Sequence, residues 1–372
     1  MLKDHLFHQK IAHLKVFMPN SKRTVTFAQA INDALHHCMR KDNNLLCFGL
    51  GVTDPKGVFG TTLNLEKKFG KKRVFDIPCS ENAITGVSIG ASLNGTRSVV
   101  THQRLDFFLL AMDQLVNSAA KWYYMFGSKK SVPITLRLII GRGWGQGPTH
   151  SQNLQSWFNH IPGLKVVTPS FADEAKSLLV SSILDPNPVI FLEHRWLHGI
   201  QASISKKHKK IKIGKAKKCK SGKDFTIISF SYLTLEAISA VNFLKKNYKV
   251  ECDLIDLRTI KPLDWDSVFR SVDKTGRVLV LDTGHQTGSV AGEIIAKIAM
   301  EKFNQLKSKP IRLAMPDFPE PTSYALTKNF YITSKDIVDE ILKSLKIKKI
   351  KNLNLIEKKN HDQPGSWFNG PF

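Results

Sequence analysis

Two side chains of this sequence could move protons near neutral pH: the carboxylate of Glu81 and the imidazole of His160. Residues 73–77 are mostly apolar and predict a strand, and the small residues of 81–93 predict a helix. Glu81 would thus begin a helix directly after a strand, with Ser80 at the N-cap position. A carboxylate there is often held only by the helix dipole, so its position leaves a structural and a proton-transferring role open.

His160 is the second candidate, and its setting is a short predicted helix over 154–161 that Pro162 and Gly163 terminate. Because imidazole titrates near neutral pH, His160 could donate or accept a proton in a reaction. A histidine hydrogen-bonded to backbone at the edge of the core explains the same position equally well. His150, in the preceding loop, is a weaker candidate.

Residues 141–147 form a glycine-rich loop after the predicted strand 132–140, and such loops can bind phosphate through backbone N–H groups. The loop departs from the GxGxxG pattern and lacks the GK[ST] ending of a P-loop. It runs into Pro148 rather than a helix N-terminus, so the dipole that assists phosphate capture is missing. We interpret it as a flexible strand-to-helix connection.

Short apolar runs alternate with amphipathic segments in two blocks, residues 1–200 and 224–348. This alternation is typical of βα units around a parallel sheet and predicts a two-domain α/β fold. The lysine-rich stretch 201–223 is interpreted as a linker too charged to bury, and 349–372 as a basic tail. The second block gathers no catalytic cluster of acids, histidine and serine, so a scaffolding or assembly role is expected for it.

Two helices of the first block carry further expectations. Residues 106–125 predict one long helix, because their apolar residues recur at helical spacing. In the helix over 81–93, Gly86 and Gly90 lower the helix propensity, and we expect the close approach of another backbone to compensate.

The formal net charge of +24 raises the question of a polyanionic partner. Nucleic-acid sites usually combine arginine forks with aromatic side chains, and the lysine runs of 206–223 and 343–359 have neither, so nucleic acid is not expected. No apolar run reaches the length of a membrane span, and the first residues lack the features of a secretory signal or a mitochondrial presequence. Five scattered cysteines without a CxxC pair favour reduced thiols in a cytoplasmic protein over disulfides or a zinc site.

Several collinear motifs point to one enzyme family. They are IPCSENAITG at 77–86, QRLDFFLLAMDQLVNSAAK at 103–121, HSQNLQSWFNHIPGLKVVTP at 150–169 and DLRTIKPLD at 256–264. These motifs resemble the beta subunits of pyruvate and branched-chain 2-oxo acid dehydrogenases, and the resemblance extends over residues 24–346. It implies a thiamine-diphosphate-binding domain of the pyrimidine type, followed by an α/β domain of the transketolase C-terminal type.

The resemblance also implies roles for particular residues. Glu81 would hydrogen-bond N1′ of the cofactor's aminopyrimidine, and Phe107 would lie beside that ring, with Gln103 one helical turn earlier. His160 would donate a proton when the acyl group passes to a lipoyl arm. The diphosphate-binding motif of thiamine enzymes begins Gly-Asp-Gly, which this chain lacks. A separate alpha-type subunit would therefore hold the diphosphate and Mg²⁺, with no metal ligand assigned to this chain and a structural K⁺ left open.

The resemblance thus implies an oxidoreductase acting on a small 2-oxo acid, active as an α2β2 heterotetramer that serves a lipoyl acyltransferase. Half of a split transketolase or carboligase, and a catalytically retired polyanion-binding assembly protein, are the alternatives.

Departures from the family pattern leave the substrate unassigned. Residues 48–52 lack the usual acid, and Thr283-Gly-His285 stands where an acidic pair before glycine is usual. Arg104 replaces an uncharged residue and, with His102, could suit a more anionic 2-oxo acid.

Overall fold

The computed structural model describes residues 23–143, 145–205, 208–350, 361–364 and 368. Its strands are β1 (Arg23–Thr26), β2 (Leu46–Gly49), β3 (Val74–Asp76), β4 (Ser98–His102), β5 (Ile134–Ile140), β6 (Lys165–Val167), β7 (Val189–His194), β8 (Gln201–Ile204), β9 (Lys217–Lys220), β10 (Phe225–Ser229), β11 (Cys252–Asp256), β12 (Thr259–Lys261), β13 (Val278–His285) and β14 (Ile311–Met315).

The α-helices are α1 (Phe27–Lys41), α2 (Gly57–Gly60), α3 (Leu65–Phe69), α4 (Glu81–Leu93), α5 (Leu105–Phe108), α6 (Ala120–Met125), α7 (Gln155–His160), α8 (Ala172–Leu184), α9 (Leu233–Tyr248), α10 (Trp265–Thr275), α11 (Val290–Glu301), α12 (Tyr324–Thr327) and α13 (Ser334–Ser344). None of the helices in the described ranges is long and apolar enough to cross a membrane.

The first sheet has the order β12-β6-β7-β5-β4-β2-β3. All neighbours are parallel except β12, which runs antiparallel to β6. Every residue of β4, β5 and β7 is buried, because helices cover both faces of a parallel sheet. Parallel strands end at one edge, so the segments after β3, β4 and β5 meet there. These segments carry Glu81, Gln103 and the glycine-rich loop.

A buried ion pair joins the two central strands of this sheet. Arg137 on β5 donates from Nε and Nη2 to the two carboxylate oxygens of Glu193 on β7, at 2.6 and 2.9 Å. His198 lies 3.2 Å from Glu193 as well. Burial alone would raise the pKa of Glu193, but the charge of Arg137 and the hydrogen bonds from both partners outweigh it and hold the pKa at about 2. The pair is therefore fully ionised at neutral pH.

The second sheet has the order β14-β13-β10-β11-β9, and only β9 is antiparallel to its neighbour. Apolar residues of α9 and α13 belong to one buried cluster, and those of α10 and α11 to another. Each cluster also contains residues of the first sheet, so the two sheets share continuous cores.

The lysine-rich stretch 201–223 differs from the expected linker. Its first residues form β8, which pairs antiparallel with β1, and residues 217–220 form β9 at the edge of the second sheet. An edge strand can carry charge, since one side of it faces water. Lys217 is half-buried, and its ammonium lies 2.7 Å from the carboxylate of Glu174 on α8. The predicted tail 349–372 lies mostly outside the described residues.

The predicted helix over 106–125 is not one regular α-helix. It begins as α5, continues through a 3₁₀ turn at Leu109–Ala111 and a π-helical segment at Gln114–Ala119, and ends as α6. The helix over 81–93 has the predicted bounds. A Cβ on Gly86 would lie 3.2 Å from the side-chain oxygen of Gln114, whereas nothing lies within 4 Å of a Cβ on Gly90. Among the described residues, the atoms nearest an added Cβ at Gly86 belong to a side chain and Gly90 has none within 4 Å, so the expected close approach of a backbone is not found at either glycine.

Candidate active site

Glu81 is the first residue of α4, and only 6% of its surface is exposed. Its backbone carbonyl accepts a hydrogen bond from Thr85 Oγ1 at 2.8 Å. In the part of the chain that the structure describes, no hydrogen bond or ion pair involves its carboxylate. Ser80 occupies the predicted N-cap position, but it makes no capping hydrogen bond through its side chain. Glu81 is thus a buried acid whose oxygens are not used to hold the fold.

Gln103 follows β4 directly and packs against Gly51. A Cβ on Gly51 would lie 2.0 Å from Gln103 Nε2, and Gly51 adopts a φ of +73°, which glycine tolerates best. Only glycine fits at position 51, because the amide of Gln103 occupies the space that a side chain would need. This packing sets Gln103 beside the segment 48–52, where the family's usual acid is missing.

Phe107 lies on α5 with 37% of its surface exposed. The ring of His150 contacts its ring edge-on, with the centroids 5.3 Å apart. Next to it, Asp106 accepts a hydrogen bond of 2.8 Å from Gln152 Nε2. These contacts bring the segment after the glycine-rich loop back to α5, and they leave part of the Phe107 ring accessible.

Arg104 is a buried cation that holds the glycine-rich loop. Its Nη1 donates to the carbonyl of Gly141 at 2.9 Å, and its Nη2 donates to Gln146 Oε1. That same oxygen accepts the backbone N–H of Gly143 at 3.0 Å. Burial lowers the pKa of Arg104 to about 10, which leaves it charged at neutral pH. Because the guanidinium has partners within the chain, the structure does not favour its suggested role in binding an anionic substrate.

His160 ends α7 and is exposed, and it lies in a different surrounding from Glu81. It lines a cavity of about 570 Å³ that lies between α7 and the N-terminal end of α11. The other lining residues are Ser156, Asn159, Gly288, Ser289, Val290, Gly292 and Glu293. No hydrogen bond or ion pair connects His160 with Glu81, Gln103 or Phe107 within the described ranges. The structure therefore places His160 at a junction of the two domains.

Asp282 was not identified from the sequence, although it fixes this junction. Its Oδ1 accepts from Gln155 Nε2 at 2.6 Å and from the backbone N–H of Gly284 at 2.8 Å, and its Oδ2 accepts from that of Ala291 at 3.0 Å. Burial raises its pKa, and the hydrogen bonds oppose that shift. Gln155 begins α7, so Asp282 ties the helix of His160 to the second domain. The sequence signal that could have identified Asp282 is an acid late in a predicted strand, followed by a glycine and then by a helix.

Comparison with known proteins identifies the family. The models for the transketolase pyrimidine binding domain and the transketolase C-terminal domain match residues 23–199 and 214–337. A pyruvate dehydrogenase E1 component subunit beta of Rickettsia bellii is 37% identical over 324 residues, covering 87% of this chain and 99% of that protein. The chain belongs to the family of 2-oxo acid dehydrogenase beta subunits. This family is thiamine-diphosphate-dependent, and its members are oxidoreductase components.

Other members of the 2-oxo acid dehydrogenase beta subunit family match over a similar length. The mitochondrial pyruvate dehydrogenase E1 component subunit beta of Bos taurus is 36% identical, with 87% of this chain and 91% of that protein covered. The acetoin:2,6-dichlorophenolindophenol oxidoreductase subunit beta of Cupriavidus necator is also 36% identical, with 84% and 94% covered. A solved split-gene transketolase, described as an inactive beta4 tetramer, superposes with a TM-score of 0.69, covering 87% of this chain and 99% of that one. Its 19% identity makes it a comparison of folds.

Proposed function

We propose that this beta subunit works with an alpha-type subunit to decarboxylate a small 2-oxo acid and to pass the acyl group to a lipoyl arm. The observation that carries the proposal is Glu81, a residue that is only 6% exposed and whose carboxylate has no hydrogen bond or ion pair among the described residues. A largely buried acid whose oxygens the fold does not use is a candidate for contact with a ligand. A ligand atom could hydrogen-bond this carboxylate without displacing a partner from it.

Glu81 is proposed to share a proton with N1′ of the aminopyrimidine ring of thiamine diphosphate. The side chain fits that ring because its oxygens have no partner among the described residues and the residue as a whole is largely buried. Low local polarity strengthens a hydrogen bond between an acid and a ring nitrogen. When bound, the cofactor supplies a nucleophilic carbon and an electron sink for decarboxylation.

Gln103 and Phe107 are proposed to orient the same ring. Phe107 keeps an accessible face after its contact with His150, and an aromatic face suits stacking on a pyrimidine. Gln103 is fixed by its packing on Gly51, so its amide has a defined position next to the site. His160 is proposed to deliver a proton during acyl transfer, and its exposure at the domain junction would let a lipoyl arm approach.

The rest of the site is proposed to come from the alpha-type subunit in an α2β2 assembly. The absence of Gly-Asp-Gly from this sequence supports a diphosphate and Mg²⁺ held by another chain. The described residues contain no group of three or more His, Cys, Asp or Glu side chains that could hold a metal ion. We keep the cytoplasm as the proposed location on the basis of five free cysteines.

Replacing Glu81 with Gln in the assembled enzyme tests the proposal. Turnover of the 2-oxo acid should fall by roughly 10²- to 10⁴-fold, as is usual when a proton-sharing group is removed. Glu66→Gln is the matched control, because Glu66 also lies in the first turn of a helix and tests the dipole alone. Near-normal turnover of the Glu81 variant, or an equal loss in both variants, would remove Glu81 from this role.

The acceptor of the acyl group separates the proposal from a split carboligase. The assembled enzyme should acylate free lipoamide in the presence of a 2-oxo acid and should not use an aldehyde as the acceptor. The His160→Ala variant should lose lipoamide acylation while it still releases CO₂ with an artificial electron acceptor. Equal loss of both reactions would contradict the proposed role of His160.

A further inference from the structure

Residues 361–364 and 368, here called the C-terminal strap, lie beyond the matched transketolase C-terminal domain, which ends at 337. His361 contacts α12, with its Nδ1 3.0 Å from Thr327 Oγ1 and its ring 4.0 Å from that of Tyr324. Phe368 is buried, with 8% of its surface exposed. The strap is thus packed onto the body of the protein at more than one point.

The strap reaches the glycine-rich loop directly through Asp362. The Asp362 carboxylate lies 4.0 Å from Nη2 of Arg142, the second residue of the loop. Arg142 is almost fully buried, and the same Nη2 donates to the carbonyl of Thr322 at 3.2 Å. A Cβ on Gly147 would lie 2.2 Å from Thr322 Oγ1, so the end of the loop packs against the same residue. Opposite charge therefore holds the strap and the loop together where the loop meets the second domain.

A second connection runs through alternating aromatic and cationic side chains. The Arg195 guanidinium lies 5.1 Å from the ring centroid of Phe368 and 4.3 Å from that of Phe59. The Arg104 guanidinium lies 5.7 Å from the same Phe59 ring. Aromatic faces attract cations, and the attraction grows when water is excluded. Arg104 in turn binds Gly141 and Gln146 of the loop. This series of contacts therefore links Phe368 to the loop through buried side chains and the half-buried Phe59.

We propose that the C-terminal strap positions the glycine-rich loop, and that Phe368, Arg195, Phe59 and Arg104 act as positioning residues for the adjacent candidate site. Gln103 precedes Arg104 in the chain, and His150, just after the loop, contacts Phe107. The described residues of the loop are thus connected, through Arg104 and through His150, to the surroundings of both side chains that are proposed to orient the pyrimidine ring. The effect on turnover rests on the proposed function, whereas the effect on the loop does not.

Hydrogen exchange of the full chain tests the effect on the loop. Phe368→Leu keeps apolar volume but removes the ring, and Phe368→Trp keeps a ring. Amides of residues 141–147 should exchange about tenfold faster in the Leu variant and at the wild-type rate in the Trp variant. Trypsin should cleave the Leu variant after Arg142, which is buried in the wild-type chain. Phe303→Ala, at a Phe that is 74% exposed, is the matched control and should change neither readout.

Turnover of the assembled enzyme tests the link to the site. The Leu variant should lower kcat by about tenfold and the Trp variant should restore it, since small misplacements at a site are costly. Unchanged exchange of 141–147 in Phe368→Leu, or in a chain ending at Asn360 that keeps its fold, would overturn the proposal. Faster exchange with unchanged turnover would overturn the link to the site. A wild-type assembly without 2-oxo acid turnover would instead count against the proposed function, and the exchange experiment would still decide the role of the strap.

Discussion

Glu81 and Asp282 are both buried acids between a sheet and the helix that follows it, and their surroundings are opposite. Glu81 is the first residue of α4, which follows β3, and Asp282 lies within β13, the strand that precedes α11. Asp282 accepts three hydrogen bonds, from Gln155, Gly284 and Ala291. No hydrogen bond of the Glu81 carboxylate is found in the described residues. The difference shows that burial alone does not mark a functional acid, because the chain's own donors already use the oxygens of Asp282.

The largest effect is expected when the hydrogen bonds of Asp282 are removed. Asp282→Ala leaves three buried donors without their acceptor, so the free energy of unfolding should fall by roughly 3–5 kcal/mol. Glu81→Gln in the same isolated chain should change it by less than about 1 kcal/mol, since no partner loses a bond. Urea unfolding of both variants measures the two values. Similar losses would show that Glu81 also holds the fold.

Glu193 extends the comparison to an acid that is ionised inside the protein. Its pKa in the folded chain is about 2, below the ordinary value of 4.5, so its ion pair stabilises the fold above about pH 4.5. That contribution, on the order of 3 kcal/mol, is lost as the pH falls from about 4.5 through about 2. Unfolding by urea between pH 6 and 2 should show this slope, and Glu193→Gln should flatten it. A slope that survives the substitution would have to come from other carboxylates.

The same comparison can be made for a cation, Arg104. Its guanidinium already donates hydrogen bonds to Gly141 and Gln146 of the loop, so it is not free to bind a substrate. Arg104→Met should lower kcat/KM of the assembled enzyme by about tenfold for pyruvate and for a dicarboxylic 2-oxo acid alike. Steady-state kinetics with both substrates gives the ratio. A selective loss with the dicarboxylic acid would restore the anion-binding role suggested by the sequence.

The smallest effect concerns the two glycines that follow Glu81 on α4. Gly90→Ala should stabilise the isolated chain by about 0.5–1 kcal/mol, because Ala forms helices better and nothing lies near the added carbon. Gly86→Ala should gain less, since its Cβ would lie 3.2 Å from Gln114 Oε1. Thermal unfolding of both variants checks the order. If Gly90→Ala weakens the assembly with the alpha-type subunit, a partner covers this face of the helix.

The helix of Glu81 was predicted with its bounds, because a run of small residues follows a serine at the N-cap position there. The π-helical segment at Gln114–Ala119 could not be predicted in this way, since a π turn keeps helical residue types. Long-range partners were equally hidden. The sequence around Arg104 does not indicate that its guanidinium binds Gly141 and Gln146. For that reason the sequence suggested a role in substrate binding for a cation that holds the loop.

The exchange of a strand between the two sheets could not be predicted from the sequence. β12 follows β11 by only a few residues, yet it pairs with β6 of the other sheet. A short apolar run gives no indication of which sheet it will join.

This exchanged strand limits how the gene can be divided. A fragment ending at residue 205 would expose the β6 edge that β12 covers, and an open strand edge promotes aggregation. The remaining fragment would carry a strand without its neighbour. The two halves should therefore be recovered in soluble form only when they are co-expressed. Replacing one half with that of a distant relative should fail unless both paired strands, β6 and β12, come from the same protein.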